Sequence, residues 1–199
     1  MMDIKEAMDE HFLTRVFNKQ MFSKEEQELI IPKFKRITFD KNDYLLREGK
    51  TAQQYWFVES GFIRSFAIDT EGRDISTDFY TAGDIVIDWP SFFLRSPTRE
   101  NIQALSTCIC WQLDYETFQV LFHSIDTFRE QGRTRLVSSY FALKNHSISM
   151  ISDQAKDRYK KLLQEKPQII QNVSLKQIAT YLGITDTSLS RIRKEIAAE

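Results

Sequence analysis

The chain has 199 residues, 42% hydrophobic and 28% charged, with a formal net charge of −1. This is the composition of a soluble globular protein of one medium domain or one medium plus one small, and no apolar run approaches the roughly 18 residues that a membrane span needs. Near-neutrality argues against wholesale nucleic-acid binding, but the charge is unevenly divided: residues 1–149 carry 18 basic and 22 acidic side chains, residues 150–199 nine and six. A mildly acidic front and a basic tail suit a sensor joined to a nucleic-acid module.

The N-terminus, MMDIKEAMDEHF, is charged and amphipathic and has no signal-peptide core. Residues 3–32 read as helical, with Phe12, Val16, Phe17, Met21 and Phe22 at roughly helical spacing. In FSKEEQELIIP, Ser23 can cap a helix, Glu25 and Glu26 suit its positive end, and Pro32 closes it.

From about 33 to 113 aromatic and β-branched residues dominate. Glycines at 49, 61, 72 and 83 recur at the spacing of turns between short antiparallel strands, as in a sandwich, barrel or jelly roll. DTEGRD (69–74) is a hairpin turn in which Gly72 can take positive φ. Cys108 and Cys110 fall on one face of a strand. They read as buried small hydrophobes in a reducing cytoplasm rather than as a metal or redox site, and no metal is expected.

Helices return at Tyr115. DYETFQVLFHSI is a short one, and residues 127–151 form a long one. Leu136, Tyr140, Leu143, Ser147 and Met150 make one stripe, and Val137, Phe141, Ile148 and Ile151 the adjacent stripe. One stripe can cover the β-domain and the other face a partner, or the helix can lie flat on one core; the residues alone leave both open. Ser152 or Asp153 can cap a fresh helix, QAKDRYKKLLQEK, which Pro167 ends. The domain joint is expected near 150–153.

The stretch SLKQIATYLGITDTSLSRIRKEI (174–196) holds two short helices and a glycine. Ser174 and Gln177 have capping-box spacing, Gly183 makes the turn, and Thr185 caps the second helix with Asp186 in its first turn. Small Ala179 permits a close helix crossing. Ile178, Leu182, Ile184, Leu189 and Ile192 supply a small core. The outward face carries Thr187, Ser188, Arg191 and Lys194. An Arg there can pair with guanine O6 and N7 in the major groove. Lys176, Arg193 and Lys194 are placed for phosphates. The pattern is that of a DNA-reading helix-turn-helix.

With these residues the chain resembles the Crp/Fnr family of bacterial transcription regulators over roughly residues 20–199. IATYLGITDTSLSRIRKE resembles its DNA-reading motif. YLLREG, YWFVESGFIRSF and YTAGDIVID resemble its cyclic-nucleotide-binding-type β-roll. The resemblance implies an α+β chain: a double-stranded β-helix (jelly roll) sensor over 1–126, a dimerisation helix over 127–151 and a small all-α helix-turn-helix domain over 152–199. It also implies a homodimer joined along Leu136, Tyr140, Leu143, Ser147 and Met150. Double-stranded promoter or operator DNA is the expected partner, contacted through Lys176, Thr187, Ser188, Arg191 and Lys194, with RNA polymerase a further one. Asp186 stands where a cyclic AMP-responsive member has a basic residue, and would favour a different base step. Little room remains between Pro167 and Ser174 for a β-hairpin wing, and nothing after Ile196 can build one.

The sensor departs from the family pattern. A phosphate cassette needs Gly-Glu on a turn and later Arg-Ser, so that backbone N–H groups and a guanidinium meet the cyclic phosphate. Here Ile87-Asp88 and Arg99-Glu100 stand at those places. Neither cyclic AMP nor cyclic GMP is therefore the expected effector; a different small molecule, or none, is. Asp88, Trp89, Arg95, Arg99 and Asn101 are the candidate pocket residues. No cofactor is expected: two Cys do not make an iron–sulfur site, and His11, His123 and His146 are scattered. An enzyme is not expected, because no His lies in 33–113 to build a cupin-like centre. The alternative to a DNA regulator is a small-molecule-binding signalling module that acts through a protein partner.

Overall fold

The computed structural model describes residues 12–198, and expectations placed on residues 3–11, His11 among them, lie outside these. Residues 12–16 are helical, and helix α1 spans Lys24–Ile30 before a 3₁₀ turn at Ile31–Lys33. Of the stretch read as helical over 3–32, the described part is two helical segments separated near Asn18, the second capped by Ser23 as expected. Between the two segments Asn18 accepts from Gln20 N through its side chain and from Met21 N and Phe22 N through its carbonyl. Local acceptors of this kind compete with a helical ladder. Ser23 and Glu26 then form a reciprocal capping box. Pro32 lies inside the 3₁₀ turn, where its missing N–H costs nothing.

Eight strands follow: β1 Lys35–Phe39, β2 Tyr44–Leu46, β3 Gln54–Ser60, β4 Ile63–Ile68, β5 Asp74–Tyr80, β6 Ile85–Val86, β7 Asn101–Ala104 and β8 Cys108–Asp114. They form two four-stranded antiparallel sheets, ordered β1-β8-β3-β6 and β2-β7-β4-β5, which make the roll of this mixed α+β fold. At the β4–β5 turn the Asp69 carboxylate accepts from Glu71 N, Arg73 N and Arg73 Nε, and Gly72 takes φ +78°. Gly61 is required more sharply. Its φ is +101°, and a β-carbon there would stand 2.6 Å from both Cys108 Sγ and the Thr107 carbonyl. Cys108 and Cys110 are fully buried, and burial pushes the Cys110 thiol up to about 12.

Strand β3 is apolar on both faces because both are covered. Tyr55, Trp56, Phe57 and Val58 are all buried. Phe57 meets Phe17 and Phe34 at ring-centroid distances of 5.9 and 5.6 Å, so the N-terminal helical segments pack on that side of the sheet. Helix α2, Trp89–Leu94, lies in the β6–β7 connection, and α3, Tyr115–Ser124, follows β8. A network of edge-to-face rings joins Tyr55, Phe92, Tyr115 and Phe118.

The long helix α4 spans Asp126–Ser152. Its first turns are tied to the front of the molecule by buried Phe128 and by Gln131, which donates to the Val16 carbonyl. At 27 residues it is about 40 Å long and outruns the roll. Neither apolar stripe therefore covers the β-domain: Leu136, Val137, Tyr140, Phe141, Leu143, Ile148 and Ile151 are all exposed.

Helices α5 Ala155–Glu165, α6 Pro167–Asn172, α7 Leu175–Tyr181 and α8 Asp186–Ala197 complete the chain. Neither Ser152 nor Asp153 caps α5; its N-cap is Gln154, without a side-chain bond. Ser152 still belongs to α4. The Asp153 carboxylate turns back instead to accept from the hydroxyls of Ser149 and Ser152 at 2.6 and 2.8 Å. Pro167 ends α5 and opens α6. Tyr159, Leu162, Ile169, Val173, Ile178, Ala179, Leu182, Leu189 and Ile192 form a second small core, which Phe79 of β5 enters. Among the described residues no helix is long and apolar enough to cross a membrane.

Candidate functional site

Two regions hold the candidate residues. In the C-terminal one, Ser174 accepts from Gln177 N at 3.3 Å to cap α7. The box is half made: the Gln177 side chain accepts from the Ser174 hydroxyl instead of returning to the backbone. The helix ends in a tight turn, where Gly183 N donates to the Thr180 carbonyl and Ile184 N to the Ala179 carbonyl. Gly183 has φ +67°, and the Met150 methyl lies 2.5 Å from where a β-carbon would stand. Thr185 accepts from Ser188 N and caps α8. Leu189 is fully buried at the helix crossing.

On the outer side Lys176, Thr187, Arg191 and Lys194 are exposed. Arg191 has only a 3.8 Å approach to Glu195 and is 77% exposed. Ser188 is half-buried and its hydroxyl accepts from Thr185. Four of the five polar residues singled out from the sequence thus stand in solvent on one module, and the fifth is engaged in the cap.

The inner side of this module rests on β5. Thr180 accepts from Ser76 N and donates to the Ser76 hydroxyl. Phe79 meets Tyr181 at 5.3 Å, and Lys166 donates to the Phe79 carbonyl at 2.6 Å and stands 3.3 Å from Asp78. His146 of α4 stacks on Tyr181 at 4.7 Å, and burial lowers its pKa. On β4, opposite Phe79, Arg64 is buried. It pairs with Asp74 at 2.7 Å and leaves Nε and Nη1 shielded and unbonded. Nothing local in the sequence marks this contact. Ser76, Phe79 and Thr180 look like ordinary strand and helix residues, and they meet only through the tertiary fold.

Along α4, Leu136, Tyr140 and Leu143 are exposed and Ser147 bonds back to the Leu143 carbonyl. Met150 departs from that stripe in function, since its end seats on the Gly183 turn.

In the roll the five candidate pocket residues are engaged separately. Asp88 caps α2, accepting from Ser91 N at 3.0 Å and from the Thr98 hydroxyl. Trp89 stacks on Phe93 at 5.8 Å. Arg95, at the left-handed C-cap of α2, donates to the Ala52 carbonyl and to Gln53 and lies 3.9 Å from the centre of the Tyr115 ring. Arg99 is exposed. Asn101 accepts from Glu48 N. Glu100 is the more telling neighbour. Burial raises its pKa, and the nearby charges of Asp88 and Asp78 raise it further.

Taken together, the described residues form an eight-stranded roll, a long helix and a compact helical module. Residues 36–124 match the family described as Cyclic nucleotide-binding domain. No curated protein matches the sequence. Among solved structures, FixK2 from Bradyrhizobium japonicum aligns with a TM-score of 0.72 at 16% identity, covering 83% of this chain and 85% of that one. The c-di-GMP-responsive global regulator CLP from Xanthomonas campestris aligns at 0.64 and 19% identity, covering 88% and 92%. The Thermus thermophilus Catabolite Activator Protein aligns at 0.57 and 16%, covering 89% and 84%. Residues 36–124 thus match the cyclic nucleotide-binding domain family, and the chain shares the fold of these solved structures.

Proposed function

We propose that the protein is a homodimeric, DNA-binding transcription regulator whose β-roll controls the spacing of two reading helices. The observation that carries this is the built turn at Gly183, with Thr187, Arg191 and Lys194 held outward on α8 and Lys176 on α7. Arg191 has the reach and freedom for a bidentate base contact, and the lysines suit phosphates. The exposed apolar side chains of α4 from Leu136 to Leu143 suit a second copy of the helix. Two modules would then meet half-sites about one DNA turn apart. By likeness to the regulators above, promoter DNA and RNA polymerase are the partners, and the protein acts in the cytoplasm without enzymatic activity.

The roll is not read as a cyclic nucleotide sensor. Glu100 puts acid where the phosphate would lie, and Ile87 puts a branched side chain where a close backbone approach is needed. Asp88 and Arg95 are instead used to hold α2 in place.

Selection from random duplex DNA followed by gel shift tests the reading. Wild type should enrich a two-fold symmetric site, with affinity that falls as salt rises. Arg191→Ala should lose about 1–3 kcal/mol of discrimination at one base pair, and Lys194→Ala should weaken all sequences alike. No enriched site, or a double variant that binds as wild type does, would return the module to a protein-docking role.

A further inference from the structure

A cavity outside the strand sandwich carries a further site. It lies between β3 and the root of α4, walled by Tyr55, Phe57, Trp89, Phe93 and Phe118. It offers about 30 Å³ to the centres of water-sized groups, and about 390 Å³ of empty space once the open solvent at its mouth is included. One cation lines this apolar wall. Arg135 of α4 places its guanidinium 5.0 Å from the centre of the Phe57 ring, and its Nε is shielded from water and bonded to nothing. The other polar side chain of the lining on α4, Gln131, donates to the Val16 carbonyl. Among the described residues the titratable group set against Arg135 is the Tyr55 hydroxyl, which burial keeps protonated and neutral, and burial disfavours the charged guanidinium.

Among the described residues no carboxylate pairs with this half-buried guanidinium, so its charge is uncompensated there, and a sealed N–H without an acceptor is a rare feature of a finished interior. Arg135 is therefore a donor set in want of an anion. The enclosed space admits a group of a few atoms. The mouth is aromatic, with Trp89 stacked on a partly exposed Phe93. A phosphate dianion would need more donors than this lining offers; a carboxylate needs one guanidinium fork.

We propose that this cavity binds a small monocarboxylate with an apolar or aromatic body, its carboxylate paired with Arg135 and its body against Trp89 and Phe93. The site borders the cassette positions, since Ile87 and Trp89 belong to its lining. Its occupancy would tie the root of α4 to the roll. Binding stands independently of the DNA reading; only its consequence for DNA affinity rests on that reading.

Calorimetry on the full chain in chloride-free buffer tests it, with sodium benzoate as the probe and benzamide as its neutral twin. Benzoate should bind saturably, and benzamide roughly tenfold or more weakly. Arg135→Met should lose benzoate by a similar factor. Phe93→Ala, at the exposed rim, should weaken benzoate and leave acetate unchanged. That variant and the benzamide comparison decide the matter even where Arg135→Met does not fold. Equal binding of benzoate and benzamide, benzoate binding that survives Arg135→Met, chloride that binds as well as benzoate, or no saturable heat at millimolar benzoate would each overturn the proposal. Benzoate binding without any DNA site would strike the regulator reading alone.

Discussion

The β-roll and the C-terminal module treat their polar residues in opposite ways. In the module, a core of small aliphatic side chains around Ile178, Ala179 and Leu189 supports an outer face whose Arg191 and Lys194 are exposed. In the roll, the polar residues nearest the expected ligand are absorbed by the fold itself: Asp88 caps α2, Arg95 holds the Ala52 carbonyl, and Asn101 holds Glu48 N. A surface function keeps its residues visible because nothing else uses them. A cavity function can be overwritten by side chains that bond to one another, and the roll can persist as a mechanical part after the ligand chemistry has changed.

Four changes probe that contrast. Phe92, fully buried among Tyr55, Phe93, Tyr115 and Phe118, should cost the roll about 3–5 kcal/mol as Phe92→Ala, read in urea by tryptophan fluorescence. Leu189→Ala should cost the module about 2–5 kcal/mol and abolish DNA binding. All three tryptophans lie in the roll, so their transition should stay where wild type has it. A transition that moved with Leu189→Ala would show that docking on β5 makes the two regions one cooperative unit.

Smaller in effect, Arg95→Met should lower the stability of the roll by about 1–3 kcal/mol, because it strips hydrogen bonds from the Ala52 carbonyl and Gln53. Unchanged stability in thermal melts would mark Arg95 as a free ligand-binding side chain and erase the contrast. Smallest, Glu100→Gln should stabilise the roll at pH 7, because burial and the charges of Asp88 and Asp78 disfavour the ionised carboxylate. The folded carboxyl has a raised pKa, so on raising the pH the unfolded chain gives up this proton first. Wild type thus loses stability as pH climbs from the ordinary carboxylate range through the raised value. The advantage of the variant should vanish near pH 4, a trend that unfolding curves at several pH values would display.

The features that were legible beforehand share a local cause. Turn glycines at 49, 61, 72 and 83 all take positive φ, and Ser23, Ser174 and Thr185 all cap helices, because each depends on neighbours a few residues away. The length of α4 was readable from periodicity to within a residue at each end. What it covers was not, because that depends on the size of the roll beneath it. The cap of α5 was misread since Asp153 had a closer choice in Ser149 and Ser152. Asp88 carried a readable signal that the ligand reading passed over: Asp-Trp-Pro-Ser is a helix start, with the acceptor three residues before Ser91. Arg135 had none. It sits two residues from Arg133, which pairs with Glu130, and only the tertiary fold separates the two.

The seat of Met150 on Gly183 has a mechanical consequence. The long helix is held by the roll at Phe128 and Gln131 and by the C-terminal module at His146 and Met150, with the exposed side chains of Leu136, Tyr140 and Leu143 between. It is a lever with its fulcrum at one end and its load at the other. Over about 40 Å, a tilt of about 5° at the root carries the tip through about 3 Å, close to the length of one hydrogen bond. Groups near Arg135 need move very little for Met150 at the tip to shift by that amount.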